Sequence, residues 1–235
     1  MKKVFFLITL LFFTSQLSAF EAEFFPKKRA RNASEIRIKF AKPIAPLGDP
    51  TFRFNPIEKI SCISKEIKGV WEDPALYIVK FDQPLKAGIL CRVKLKDDIK
   101  SVSGETYSGP KWFEFDSDVV TVQRIIPNTY QKIRNEEIFI FSFTGDVDIV
   151  KNKDRIFFRR MHTREIVESS IVDHADVTRL VENLFPYLKN EKFFGVRPKV
   201  KFADNENVML VFRNIVSEGG VVSDLEEKYA YTVME

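Results

Sequence analysis

Short hydrophobic segments that alternate with polar residues recur along most of this chain and restrict what it can fold into. Ile36, Ile38 and Phe40 alternate with Arg37 and Lys39, the pattern of a strand with one buried and one solvated face. Similar alternation returns further along the chain, and turn signals rich in Pro, Gly and Asp separate the segments. Short strands at this spacing are typical of an antiparallel β-sandwich. The sequence therefore predicts an all-β fold.

The pattern begins again halfway along the chain. Phe24-Phe25-Pro26 precedes one strong strand, and Ile125-Ile126-Pro127 precedes another. The two prolines are separated by about 100 residues, the length of one immunoglobulin-type unit. We therefore predict two tandem immunoglobulin-like sandwiches. They would cover residues 20–118 and 119–235, with the boundary near Asp118.

One stretch of the second unit has helical spacing instead. Its apolar residues recur every three or four positions from about Asp173, and Pro186 disturbs the last turn. These residues are Val177, Leu180, Val181, Leu184 and Leu188. We predict one helical insertion near residues 173–188, packed across one sheet of the second sandwich.

The N-terminus has the three parts of a secretory signal. Lys2 and Lys3 are followed by an apolar segment over residues 4–13 and then by small and polar residues up to Ala19. We predict that residues 1–19 are a signal peptide. The mature chain is then expected in the periplasm, or secreted, without a transmembrane span.

The chain has two cysteines, Cys62 and Cys91. In an exported protein an even pair predicts a disulfide, whereas two buried free thiols remain the alternative. A metal site would need further ligands, and His162 and His174 are the two histidines of the chain. We predict no metal site.

Composition and motifs argue against an enzyme. Nine glycines against 23 phenylalanines suit strands better than the glycine-rich phosphate loops of nucleotide-binding enzymes. Asp146 and Asp148 follow Gly145, but no Glu closes a calcium loop at the required spacing. We predict no catalytic residue and no cofactor.

The chain has a small net charge and two tryptophans, and each feature supports a further expectation. The formal net charge of +4 is small and the signs are interspersed, so we expect no nucleic-acid partner. The basic segment at residues 27–31 is interpreted as a solvated bend. Trp71 and Trp112 lie in alternating apolar segments, and both are expected in the sandwich core.

Several segments, taken in order, resemble the N-terminal region of bacterial alpha-2-macroglobulin-like proteins. They are Ile36 to Pro50, Cys62 with Gly69-Val70-Trp71, Tyr77 to Phe81, Leu85-Lys86-Ala87-Gly88, Cys91-Arg92-Val93, Ser103-Gly104, Gly109, Phe113-Glu114-Phe115, Glu136 to Phe139, Val208 to Phe212 and Ser217 to Val222. The resemblance covers nearly the whole chain after residue 19. It implies macroglobulin-type sandwiches, and it places both cysteines on core strands.

Full-length members of this family entrap proteases after cleavage of a bait region, and many carry a Cys-Gly-Glu-Gln thioester. Here Cys62 is followed by Ile-Ser and Cys91 by Arg-Val, and no bait segment is recognisable. The resemblance therefore implies a truncated member, one part of a split gene, or a fragment of a longer member, without the trap chemistry.

Two functions follow as expectations. The first is a non-catalytic N-terminal scaffold module of an alpha-2-macroglobulin-like endopeptidase inhibitor. Its partners would be the remaining macroglobulin domains in the same or a neighbouring chain, and proteases through the full assembly. The second is a stand-alone periplasmic binding or adhesion protein of two immunoglobulin-like domains, which would expose an apolar patch or groove.

Overall fold

A computed structural model of the protein describes residues 19–62 and 68–234. The signal peptide predicted over residues 1–19 lies outside the described residues, apart from Ala19. In the part that is described the chain forms strands β1 to β17 and one α-helix. The prediction of an all-β fold with one helical insertion is confirmed.

Nine strands come from residues 19–116, named here the first sandwich. They are β1 (Ala19–Phe20), β2 (Ala22–Phe25), β3 (Glu35–Phe40), β4 (Ile57–Ile60), β5 (Gly69–Asp73), β6 (Leu76–Lys80), β7 (Leu90–Leu95), β8 (Thr106–Tyr107) and β9 (Trp112–Asp116). The main sheets have the orders β2-β3-β6-β5 and β4-β7-β9, and β1 pairs with β8. Four strands facing three in this order is the arrangement of an immunoglobulin constant-type domain.

The core of the first sandwich lies between these two sheets. Buried residues alternate with exposed or half-buried ones along β3 and β7, because each sheet packs only one face on the other. The central residues are Ile36, Ile38 and Phe40 of β3, and Cys91, Val93 and Leu95 of β7.

Eight strands and the helix come from residues 122–233, named here the second sandwich. They are β10 (Val122–Ile126), β11 (Lys132–Ile133), β12 (Phe139–Phe143), β13 (Ile156–Arg160), β14 (Ile166–Ile171), α1 (His174–Leu184), β15 (Phe194–Pro198), β16 (Asn207–Arg213) and β17 (Glu226–Val233). Short 3₁₀ turns occur at Lys153–Arg155 and Pro186–Leu188.

The second sandwich has the same strand order with one strand that changes sheets. The full order is β10-β12-β15-β14-β13-β16-β17-β11. Glu168 of β14 pairs with Phe157 of β13, whereas the next residue, Ser169, pairs with Pro198 of β15. The two halves of β14 therefore belong to opposite layers. The layers enclose one aromatic core, in which the Phe141 and Phe212 ring centroids are 4.8 Å apart.

The helix occupies the connection between β14 and β15. Asp173 caps it, since its Oδ1 accepts a 2.8 Å hydrogen bond from the N–H of Ala175. Val177 and Val181 are buried against Ile140 on the outer face of β12. Strand β12 is consequently buried on both faces. The helical insertion predicted near residues 173–188 is therefore found at that position, packed across one sheet.

The expected core position is wrong for Trp112. This side chain is 54% exposed, and the Nζ of Lys94 lies 5.7 Å from its ring centroid. Along β9 it is Phe113 and Phe115 that face the core, so Trp112 has the opposite phase. Trp71 does contact the core and donates from Nε1 to the carbonyl of Phe54 at 2.8 Å.

Each sheet of the described residues draws all its strands from one side of Asp118. The strands of the first sandwich end at Asp116 and those of the second begin at Val122. Residues 117–121, named here the linker, carry the chain between them. A domain boundary at Asp118 stays a prediction.

Candidate functional site: the joint between the sandwiches

The loop that connects β6 to β7, residues 81–89, lies against the linker. We name it the docking loop. The N–H of Gly88 donates to the carbonyl of Asp118 at 2.8 Å. The N–H of Ile89 donates to Ser117 Oγ at 2.9 Å, and the N–H of Ser117 donates back to the Ile89 carbonyl at 3.0 Å. The Ser117 hydroxyl also donates to the carbonyl of Lys86. These bonds hold the linker and the docking loop side by side.

Two loops of the second sandwich receive the docking loop. Ala87 forms a parallel bridge with Gly145, in the connection from β12 to β13. The Ser217 hydroxyl, in the connection from β16 to β17, donates to the Gly88 carbonyl at 2.6 Å. It also accepts from the N–H of Val221 at 3.0 Å. Because Ser217 is buried, both of its bonds are shielded from water.

Three glycines allow this close approach. Gly88 has a φ of +83°, and an added Cβ would lie 2.5 Å from Ser217 Cβ and 2.6 Å from Val120 Cγ2. A Cβ on Gly145 would overlap the Ala87 carbonyl oxygen, and one on Gly219 would overlap the Gly88 carbonyl oxygen. The backbones therefore meet at a distance that no larger residue at these positions permits.

Ion pairs surround the joint. Arg29 Nε is 2.9 Å from Asp116 Oδ1, and another of its nitrogens is 3.6 Å from Asp224 in the second sandwich. Lys86 Nζ is 3.6 Å from Asp146 Oδ2. The pairs with Asp224 and Asp146 link the two sandwiches by charge, although their partial exposure limits each one to a small contribution.

Asp118 carries the clearest electrostatic effect in the linker. Arg31 Nε donates to its Oδ2 at 3.0 Å. Partial burial acts to raise the pKa of Asp118, but the hydrogen bonds from Arg31 and from the N–H of Val119, together with the charges of Arg31 and Arg29, outweigh it. The pKa of this carboxyl therefore lies below its usual value, and Asp118 is ionised at neutral pH.

A cleft of about 630 Å³ opens beside the joint. Its wall includes Arg29, Arg31, Lys86, Asp118 and Asp224. Each basic side chain of this wall forms an ion pair with a carboxylate: Arg29 with Asp116, Arg31 with Asp118 and Lys86 with Asp146. The positive charge of the wall is therefore largely neutralised. The geometry suits a contact between two protein units better than the capture of a charged small molecule.

The disulfide predicted between Cys62 and Cys91 is present. Their Cα atoms are 4.8 Å apart, well inside the separation that a disulfide permits. Cys91 lies in β7 and Cys62 follows the end of β4, its neighbour in the same sheet. The core-strand position that the resemblance implies is therefore confirmed for Cys91 and wrong for Cys62, which lies in a bend after the strand. The bond links β7 to the segment that follows its neighbour β4 and does not cross the sandwich.

The residues considered for metal binding belong to three different segments of the second sandwich. His162 is exposed in the turn between β13 and β14, and His174 is the exposed first residue of α1. Asp148 Oδ1 accepts from the N–H of Val150 at 3.0 Å, and Asp146 faces Lys86. Across residues 19–62 and 68–234 no three His, Cys, Asp or Glu side chains are grouped as metal ligands.

Sequence reasoning missed the joint itself. The segment at residues 27–31 was expected to be a solvated bend, yet Arg29 reaches an acidic residue of the second sandwich. Gly88 entered the sequence analysis only as part of a segment that carries the family resemblance. Its neighbours Ala87 and Lys86 gave no local signal of the second contact, because Gly145 and Ser217 lie far away in the sequence.

Within the described residues, no helix combines the length and the hydrophobicity that a membrane crossing requires.

Comparison with known proteins identifies no family. No protein-family model matches the chain, and no curated protein matches it. The solved structures similar to it include CopC from Methylosinus trichosporium OB3b, at 16% identity and a TM-score of 0.34 over 49% of this chain and 93% of that one. The I9–I11 tandem of titin matches at 6% identity and a TM-score of 0.29, over 92% and 64%. An L,D-transpeptidase from Mycobacterium smegmatis matches at 13% identity and a TM-score of 0.29, over 87% and 79%.

Proposed function

We propose that this chain is a non-catalytic scaffold module, the N-terminal part of a bacterial alpha-2-macroglobulin-like endopeptidase inhibitor. The joint between the two sandwiches carries the proposal. A scaffold must fix the geometry of successive units, and here Gly88, Gly145 and Ser217 interlock the two backbones. The sequence resemblance to the macroglobulin-like proteins is the reason for proposing this particular kind of assembly.

The charges at the joint support a structural role. An active site keeps titratable groups available to a substrate and shifts their pKa toward the working pH. The joint instead uses Arg29, Arg31 and Lys86 in pairs with Asp116, Asp118 and Asp146. Their arrangement orients two units, and we infer no reaction there.

The disulfide supports export. The bond between Cys62 and Cys91 would persist in an oxidising compartment and would be reduced in most bacterial cytoplasms. We therefore propose the periplasm as the location, with secretion as the alternative.

A stand-alone binding or adhesion protein is the second candidate, and one surface favours it. A shallow groove of about 470 Å³ lies on the outer face of the first sandwich. Phe25, Pro26 and Leu76 give it an apolar floor, and Glu35, Arg37 and Lys39 border it. Arg37 Nε donates to Glu35 Oε1 at 2.6 Å, so the charge of this arginine is compensated within the groove. A groove of this kind suits an extended, mainly apolar ligand.

Purifying the tagged chain from the periplasm of its host, together with any bound protein, distinguishes the scaffold function from the stand-alone binding function. If the chain is a scaffold, the protein that purifies with it carries further sandwich domains and a Cys-Gly-Glu-Gln sequence. The isolated chain should leave several endopeptidases fully active on a large protein substrate, because two sandwiches cannot enclose a protease.

Two outcomes would contradict the proposal. If the isolated chain protects a large substrate while a small peptide is still cleaved, it is itself a trap. If the recovered partner lacks sandwich domains and its binding is lost on Leu76→Glu in the groove, the protein is a stand-alone binder.

A further inference from the structure

The second sandwich repeats the element by which the first sandwich contacts its neighbour. The connection from β15 to β16, residues 199–206, corresponds in topology to the docking loop, and we name it the distal loop. Leu85 of the docking loop and Phe202 of the distal loop are both buried in their own sandwich. Three residues later, Gly88 has a φ of +83° and Asn205 a φ of +60°, so both residues adopt the left-handed conformation.

Backbone hydrogen bonds repeat as well. The N–H of Gly88 donates to the Asp118 carbonyl at 2.8 Å, and the N–H of Asn205 donates to the Val233 carbonyl at 3.0 Å. In return, the N–H of Ser117 donates to Ile89, and the N–H of Val233 donates to Glu206 at 2.9 Å. Each loop is thus fixed against the chain that leaves its own last strand.

The two loops differ in what covers them. Gly88 is buried beside Ser217 of the second sandwich and Val120 of the linker, whereas Ala203, Asp204 and Asn205 are exposed.

Large hydrophobic side chains lie exposed around the distal loop. Val200 is 52% exposed, Met161 is 46% exposed and Met234 is 39% exposed. Met161 is tied to this end of the sandwich because its N–H donates to the Asn207 carbonyl at 2.9 Å. Met234 follows Val233, the hydrogen-bond partner of the distal loop. Exposed apolar side chains gathered at one end are typical of an interaction surface.

We propose that the distal loop, with Met161 and Met234 beside it, is a docking surface for a further immunoglobulin-like unit. That unit would present two loops equivalent to those that carry Gly145 and Ser217. The proposal rests on the proposed scaffold function and identifies the surface through which the next partner is held.

A second copy of this chain is a poor occupant. The loops that would have to meet the distal loop are those of Gly145 and Ser217, and in every copy the docking loop already fills them. The partner unit must therefore come from outside residues 19–234. Asn205 carries a side chain where Gly88 has none, so the partner is expected to contact mainly Ala203 and Asp204.

Site-specific photo-crosslinking in the host periplasm tests the surface with the full chain. Benzoylphenylalanine replaces Asp204 in one variant and Glu72, an exposed residue of the first sandwich, in the control variant. The variant at position 204 should form a crosslink to a loop of an immunoglobulin-like sandwich that lies outside this chain. The control should not form it, and adding Ala203→Trp to the variant at position 204 should abolish it.

The outcomes separate the two proposals. Crosslinks from position 204 that equal those from position 72, or that join two copies of this chain, would overturn the docking surface. If co-purification recovers an inhibitor chain but the variant at position 204 forms no crosslink to it, the scaffold function stands and the proposed docking surface is wrong. If the crosslinked unit belongs to a protein that does not entrap proteases, the surface stands and the macroglobulin assignment fails.

Discussion

The hydroxyl of Ser217 donates a 2.6 Å hydrogen bond to the carbonyl oxygen of Gly88, across a separation of 129 positions in the chain. This bond joins the connection from β16 to β17 with the docking loop. Since both atoms are buried, its loss would leave a carbonyl without a partner away from water. The bond thereby makes the joint sensitive to small changes.

Removing that hydroxyl should loosen the joint without unfolding either sandwich. Ser217→Ala is expected to cost about 1–3 kcal/mol of stability, the usual penalty of an unsatisfied buried polar group. Hydrogen exchange of the Gly88 amide should become faster. Ser103→Ala, at an exposed serine of the first sandwich, is the control and should leave that amide unchanged. Equal exchange in both variants would show that Ser217 does not hold the loop.

Gly88→Ala should be more damaging than Gly104→Ala. Both glycines have a φ of +83°, so both substitutions carry the same backbone penalty of about 1–2 kcal/mol. Only at Gly88 does the new Cβ overlap Ser217 and Val120, whereas nothing lies within 4 Å of the one at Gly104. Denaturant unfolding should therefore show a larger loss for Gly88→Ala, and small-angle scattering should show a changed arrangement of the sandwiches for that variant alone. Identical losses would mean that the contact is not tight in solution.

The disulfide should stabilise the first sandwich selectively. Replacing both cysteines, Cys62→Ala with Cys91→Ala, is expected to cost about 3–4 kcal/mol for a closed loop of this length. The unfolding transition of the first sandwich should shift and that of the second should stay in place. A reducing agent should reproduce the shift in the original protein and have no effect on the double variant. Free thiols in the denatured, unreduced protein would contradict the bond.

The two tryptophans should respond differently to truncation. Trp71→Ala removes a ring packed on the core together with its hydrogen bond to Phe54, and about 3 kcal/mol of stability should be lost. Trp112→Ala removes a mostly exposed ring, and the loss should stay below about 1 kcal/mol. Thermal unfolding of the two variants measures the difference. A larger loss at Trp112 would restore the core position expected from the sequence.

Glu227 should make the second sandwich less stable as the pH rises. Burial raises the pKa of Glu227, and its Oε2 accepts a 2.9 Å hydrogen bond from the N–H of Val122. A carboxyl whose pKa is higher in the folded state holds its proton more tightly there. Its contribution is full below the ordinary value of 4.5 and is lost as the pH rises through the folded-state pKa.

Glu227→Gln tests this pH dependence, because the amide keeps an acceptor and does not ionise. At pH 7 the variant should be at least as stable as the original, because the buried amide carries no charge there. The adjacent Glu226 is the matched control, since hydrogen bonds from Lys228 and Arg213 lower its pKa. Glu226→Gln should lower stability above pH 4.5, the opposite sign. Denaturant unfolding between pH 4 and pH 7 measures both, and the same sign in both variants would refute the assignment.

Much of the fold was determined by local patterns in the sequence. Alternation along β3 places Ile36 and Ile38 in the core, because a strand has a side-chain period of two. The helix near Val177 follows from its apolar spacing, and Pro186 sits where the α-helix has ended. The disulfide followed from two cysteines in a chain for which the sequence predicts an export signal.

Only the tertiary structure decided which face of β9 is buried and which residues meet at the joint. Trp112 and Glu114 share one face of the strand, and the pairing with β7 turns that face outward and Phe113 and Phe115 inward. No local pattern links Gly88 to Ser217 or Gly145, because these contacts form only after each sandwich has folded. Local periodicity determines which segments become strands, whereas contacts between distant loops depend on how the finished units meet in space.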